Sequence, residues 1–88
     1  MTIETLHSHF LDCNSVCTDT RKISKNCMYF ALKGANFNGN TFAQDALKKG
    51  AAFAIIDESK YKISDAYILV EDVLNTLQNL ALFHRKYL

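Results

Sequence analysis

The most constraining feature of this chain is the unbroken apolar run Cys27-Met28-Tyr29-Phe30-Ala31-Leu32, which opens directly into the polar stretch Lys33-Gly34-Ala35-Asn36-Phe37-Asn38-Gly39-Asn40. The run is too short for an ordinary helix and rich in aromatic rings, so it reads as a strand covered on both faces. Open α/β sheets bind their ligands beyond the C-terminal ends of their strands. A buried strand that ends in a loop carrying Gly34 and Gly39 therefore marks the candidate site, and the rest of the chain reads as its support.

With 88 residues, the chain has room for a single domain and one modest core. Apolar residues make up 49% of it, which excludes a disordered chain. Ten basic and nine acidic residues leave a net charge of +1 and form no basic stripe, so nucleic acid is not an expected partner. The start Met1-Thr2-Ile3-Glu4 has no secretory pattern, and no apolar run reaches membrane length. The expectation is a cytoplasmic domain with no membrane contact. Cys13, Cys17 and Cys27 lack paired Cys-x-x-Cys spacing, so they read as reduced, packed thiols rather than metal ligands.

Taken in order, Thr2 caps a first helix whose Ile3, Leu6 and Phe10 share one face and which ends near Asp12. His7 and His9 on it read as solvated. Ser15 to Thr20 reads as a short strand with Val16, Thr18 and Thr20 on one side. After the glycine loop, Thr41-Phe42-Ala43-Gln44 has the form of a capping box, and the helix that follows stops at Gly50. Ala51 to Ile56 is a second buried strand, Asp57 to Asp65 a loop or single helical turn, and Tyr67 to Val70 a third strand. Asp72 then caps a last helix with Val73, Leu77, Leu80 and His84 along one face. That helix reaches Leu88 without a stop signal, as in a chain cut from something longer. Strand, helix, strand in this order predicts an α/β domain. It should be a small three-layer fold with a mixed or mainly parallel sheet flanked by helices, burying Tyr29, Phe30, Leu32, Ala54, Ile55 and Leu69.

The segment Thr18-Asp19-Thr20-Arg21 admits two readings. One is an Asx or ST turn closing a strand, with Asp19 and Arg21 paired at the surface. The other is a hydroxyl and a guanidinium presented to phosphate oxygens. Neither a glycine-lysine phosphate loop nor a nucleophile elbow is present, and no carboxylate pair is placed for acid–base work. The expectation is a binding loop without catalytic residues.

Three segments together carry a family resemblance: Val16-Cys17-Thr18-Asp19-Thr20-Arg21-Lys22-Ile23, then Cys27 to Gly34, then Phe37-Asn38-Gly39-Asn40-Thr41-Phe42. In this order and spacing they resemble the N-terminal domain of the Mur ligases, nearest to the branch that adds D-alanyl-D-alanine to a UDP-linked muramyl tripeptide. Ala43 to Ile56 and Ile68 to Leu80 follow the same pattern. The resemblance implies that residues 1–88 form the domain that holds the UDP end of UDP-N-acetylmuramoyl-tripeptide. The central domain, which uses ATP and magnesium, and the C-terminal domain would lie outside this chain, the central one docking through the last helix. No cofactor or metal is then expected here.

Position by position, the resemblance places Thr20 against the substrate diphosphate and Ala35, Asn36 and Phe37 where the loop meets the nucleotide. Thr18, Arg21, Lys33, Gly34, Asn38 and Asn40 complete the implied substrate-binding set. Two departures stand out: Lys25-Asn26 replaces the family's proline-glycine, and Asn38-Gly39-Asn40 replaces aspartate-glycine-histidine. The branch that acts one step earlier in the pathway, and a free-standing interaction module on the same scaffold, are the alternatives.

Overall fold

A computed structural model describes residues Met1–Leu88. At its centre is β2 (Cys27–Phe30), in which every residue is fully buried. It pairs in parallel with β1 (Ser15–Cys17) on one side and β5 (Phe53–Ile56) on the other, and β5 pairs in parallel with β6 (Tyr67–Leu69). The strand order is β1-β2-β5-β6, so the sheet is wholly parallel. The two intervening strands, β3 (Lys33–Gly34) and β4 (Phe37–Asn38), form a separate antiparallel hairpin.

Alternation along β2 divides the core into two halves. Cys27, Tyr29 and Ala31 pack with Ala43 and Ala46 of α2 (Ala43–Lys48) and with Ala54, Ile56 and Tyr67. Met28 and Phe30 point the other way. They join Leu6 of α1 (Ile3–Leu11), Ile55, Ile68, and Val73 and Leu80 of α3 (Val73–Tyr87). The result is three layers, with α2 on one face of the sheet and α1 and α3 on the other. Burying each of the large side chains is worth roughly 1.5–3 kcal/mol, which is why the apolar runs become strands here. No helix is long and apolar enough to cross a membrane.

Several local expectations are corrected. The first strand stops at Cys17, and Thr20–Lys22 form a 3₁₀ turn. Thr41-x-x-Gln44 does not form a capping box: Phe42 precedes α2 with no side-chain cap, while the Thr41 hydroxyl donates to the Asn38 carbonyl at 2.8 Å. Asn38 instead caps the 3₁₀ turn Gly39–Phe42, its Oδ1 accepting from the Asn40 N–H. Ala51 and Ala52 precede β5 rather than belonging to it. Leu69 sits on the outermost strand and is 41% exposed, and Leu32 is only partly buried.

His7 is not solvated but buried. Its Nε2 lies 2.9 Å from His84 Nδ1, and the rings of Phe10, Phe83 and Tyr87 surround it, joining α1 to the end of α3. The cysteines are free thiols: Cys27 is buried, and Cys13 and Cys17 are half-buried. Asn26 adopts a left-handed φ of 64°, the conformation a glycine would supply in its place. Its side chain donates to the Asp12 carbonyl at 2.9 Å and its N–H to the Gly50 carbonyl at 2.8 Å, so the turn into β2 is held on both sides.

Candidate nucleotide-binding edge

Because all four strands of the main sheet run the same way, their C-terminal ends share one edge. Thr18–Lys22 follow β1 there, the β3–β4 hairpin follows β2, and Asp57 and Glu58 follow β5. The topology thus brings the two implied binding segments to the same edge and adds an acidic pair that the binding-site reading of the sequence passed over.

At the first segment the geometry forms the turn and surface pair. Asp19 Oδ1 accepts the Arg21 N–H at 2.9 Å, and Arg21 Nη2 lies 2.8 Å from Asp19 Oδ2. Side-chain hydrogen bonding from Arg21 holds the Asp19 carboxyl down at about 2. Arg21 is therefore engaged within the chain, although its side chain remains 86% exposed. Thr20 contributes its carbonyl to Lys49 Nζ at 3.1 Å, and its hydroxyl takes no part in the fold's hydrogen bonds. Thr18 is exposed.

The second segment lines a shallow recess of about 400 Å³ bounded by Lys33, Gly34, Ala35, Asn36, Phe37, Asn38 and Glu58. Ala35 and Asn36 form the hairpin tip and are exposed. Phe37, 47% exposed, stacks on Phe42 with ring centroids 5.5 Å apart and planes inclined by 14°. Behind the tip the chain is tightly fixed. Gly39 lies so close to the backbone just after β2 that a Cβ there would come within 2.6 Å of the Leu32 carbonyl oxygen. Its own carbonyl accepts from the buried Tyr29 hydroxyl at 3.0 Å, and burial pushes that phenol up to about 12.

Asn40 stands apart from the other implied contacts. It is 1% exposed; its Oδ1 accepts the Asp57 N–H at 3.0 Å and its Nδ2 donates to Asp57 Oδ1 at 3.0 Å. It braces the loop from inside. Lys33 Nζ also reaches inward, lying 3.1 Å from both Asp57 Oδ1 and Glu58 Oε2. Those carboxylates hold the ammonium above its usual range, Glu58 first. Burial works to raise the Asp57 carboxyl, but bonds from Lys33 and Asn40 outweigh it and leave it lowered. Glu58 is lowered by Asn38 and then by Lys33. The overlooked signal was positional: an acidic dipeptide immediately after an all-apolar strand falls on the same edge as the glycine loop. No three His, Cys, Asp or Glu side chains converge as metal ligands would.

Comparison with known proteins agrees with this architecture. The family model described as "Mur ligase family, catalytic domain" matches residues 12–85, and the chain belongs to the Mur ligase family. It is 41% identical over 64 residues to the UDP-N-acetylmuramoyl-L-alanyl-D-glutamate--2,6-diaminopimelate ligase of Rickettsia typhi, covering 73% of this chain and 13% of the relative. Over 70 residues it is 39% identical to the UDP-N-acetylmuramoyl-tripeptide--D-alanyl-D-alanine ligase of Bacillus subtilis, covering 77% of this chain and 15% of the relative. Among solved structures, MurF from Acinetobacter baumannii shares the fold, with a TM-score of 0.72 at 21% identity over 98% of this chain and 21% of that one. The chain thus spans only a small fraction of the length of the relatives it matches.

Proposed function

We propose that this chain is the substrate-docking part of a peptidoglycan-precursor ligase, receiving the UDP end of UDP-N-acetylmuramoyl-tripeptide in an enzyme that adds D-alanyl-D-alanine. The observation that carries the reading is the open recess on the hairpin. It stands at the C-terminal edge of a parallel sheet, where such folds bind ligands, and both Thr20 and the exposed tip Ala35-Asn36-Phe37 lie at that edge. Thr20 offers a hydroxyl for a phosphate oxygen, Asn36 an amide for the base, and Gly34 a close backbone approach. Thr18, Lys33 and Asn38 border these groups.

The sequence carries no glycine-lysine phosphate loop, and no three His, Cys, Asp or Glu side chains converge. In the proposal, ATP chemistry and Mg²⁺ belong to a central domain of the parent enzyme, against which α3 would dock. The 41% identity to a 2,6-diaminopimelate ligase favours a second reading, the same part of that enzyme, whose substrate is the UDP-linked dipeptide.

Titrating the chain with UDP, UDP-muramyl dipeptide and UDP-muramyl tripeptide, with backbone NMR as readout, tests the proposal. Shifts should cluster at Thr18–Arg21 and Lys33–Phe37, with the tripeptide binding at least as well as the dipeptide. Thr20→Val keeps the side chain's shape but removes one hydrogen bond, and should cost about 1 kcal/mol, or several-fold in affinity. Shifts confined to α3, or unchanged binding by Thr20→Val, would refute the assignment.

A further inference from the structure

Glu58 belongs to no motif in the sequence, yet one of its oxygens meets both strands of the hairpin. Glu58 Oε2 accepts from Asn38 Nδ2 at 2.7 Å and lies 3.1 Å from Lys33 Nζ. Lys33 and Asn38 are the opposed pair at the open end of the β3–β4 ladder. A single carboxylate oxygen therefore closes the base of the hairpin from below.

The hairpin needs such a closure. Each of its strands has two residues, and even a longer isolated two-stranded hairpin is only marginally stable in water. Beyond the Phe37–Phe42 stack its tip supplies little: Gly34, Ala35 and Asn36 are exposed and make no side-chain bonds. Asp57 reinforces the same base, through Lys33 Nζ at 3.1 Å and through the buried Asn40.

We propose that Glu58 is a positioning residue that clasps the two strands of the hairpin and holds the recess in its ligand-ready shape. In this arrangement Lys33 is the strut of the clasp rather than a phosphate contact. The inference rests on reading the recess as the nucleotide site. Two observations support the role given to Lys33. Its ammonium already faces two carboxylates, and a phosphate that approached it would meet their charge as well. Asn38 is also matched to Glu58. An amide can donate to the carboxylate, whereas an aspartate in its place would set two like charges 2.7 Å apart.

The experiment has two arms on the full chain. The first follows hydrogen exchange at the amides of residues 33–38. Glu58→Ala and Lys33→Met should each speed exchange there by about tenfold, while β2 and β5 stay protected. Asn38→Asp should loosen the same amides, because a carboxylate there cannot donate to Glu58. The second arm compares UDP with uridine, which carries no phosphate. As a strut, Lys33 should weaken both ligands by the same factor when changed to Met. Loss of UDP binding with uridine unaffected would make Lys33 a direct phosphate contact and overturn its assigned role. Unaltered exchange in Glu58→Ala, or in Asn38→Asp, would overturn the clasp. If the wild-type chain binds neither ligand, the nucleotide reading fails while the exchange arm still decides the clasp.

Discussion

At Asp19 one carboxylate accepts both a backbone N–H and a guanidinium from Arg21, and this pairing sets its acidity. The folded carboxyl titrates at about 2, below the roughly 3.9 of an unfolded aspartate. Its contribution to stability is therefore present above about pH 4 and is lost as the pH falls from there through about 2. Because the pair is exposed, that contribution is small. Following the Asp19 carboxyl by NMR should show its midpoint rise toward the ordinary aspartate range in Arg21→Gln. An unmoved midpoint would mean that Arg21 is not its cause. This pair also shows what single residues disclosed. Asp19 and Arg21 announced their turn through chemistry that acts within a few positions. Asn40 did not, because its role depends on Asp57, which only the sheet brings beside it. The burial of His7 is hidden in the sequence for the same reason: nothing local to α1 indicates that His84 will arrive from the other end of the chain.

Among the elements, β2 and β5 were legible as apolar runs because burial on both faces leaves little room for polar side chains. Strand ends were less so. Thr18 and Thr20 have strand propensity, but the Asx turn at Asp19 competes with the ladder and wins. The hairpin was hidden because two-residue strands carry no periodic pattern. Its mounting is sharply defined all the same. Gly39→Ala would drive a Cβ into the Leu32 carbonyl and should destabilise the chain by about 1–3 kcal/mol in denaturant titration. Gly34→Ala meets nothing nearer than Phe37 Cβ at 3.9 Å and should fold normally. Equal effects at the two glycines would contradict the close approach. The seam between α1 and α3 gives a second check at this scale. His84→Ala leaves the buried Nε2 of His7 without its partner and should lower stability by about 1–3 kcal/mol, read as a fall in Tm. A melting curve like that of the wild type would show that the pair contributes nothing to the seam.

For the molecule as a whole, the order strand, helix, strand with two buried runs was enough to anticipate a mixed or mainly parallel sheet between helical layers, and the four-stranded sheet is wholly parallel. That the acidic pair shares the loop's edge follows from its place after an apolar strand, but which loop residues it meets does not, because register across β2 and β5 decides it. The pure chain should show no magnesium-dependent release of phosphate from ATP above a buffer control; measurable turnover would place ATP chemistry in these residues after all. The base of the hairpin, bound to Asp57 and Glu58 just after β5 through Lys33, Asn38 and Asn40, differs from its tip, where Ala35 and Asn36 make no side-chain bonds within the fold. A substitution at the tip therefore leaves the folding of the sheet untouched, while one at the base disturbs it. Under the proposed function, descendants of such a chain could drift in what they recognise by changing a few exposed positions, and the scaffold that presents them need not change with them.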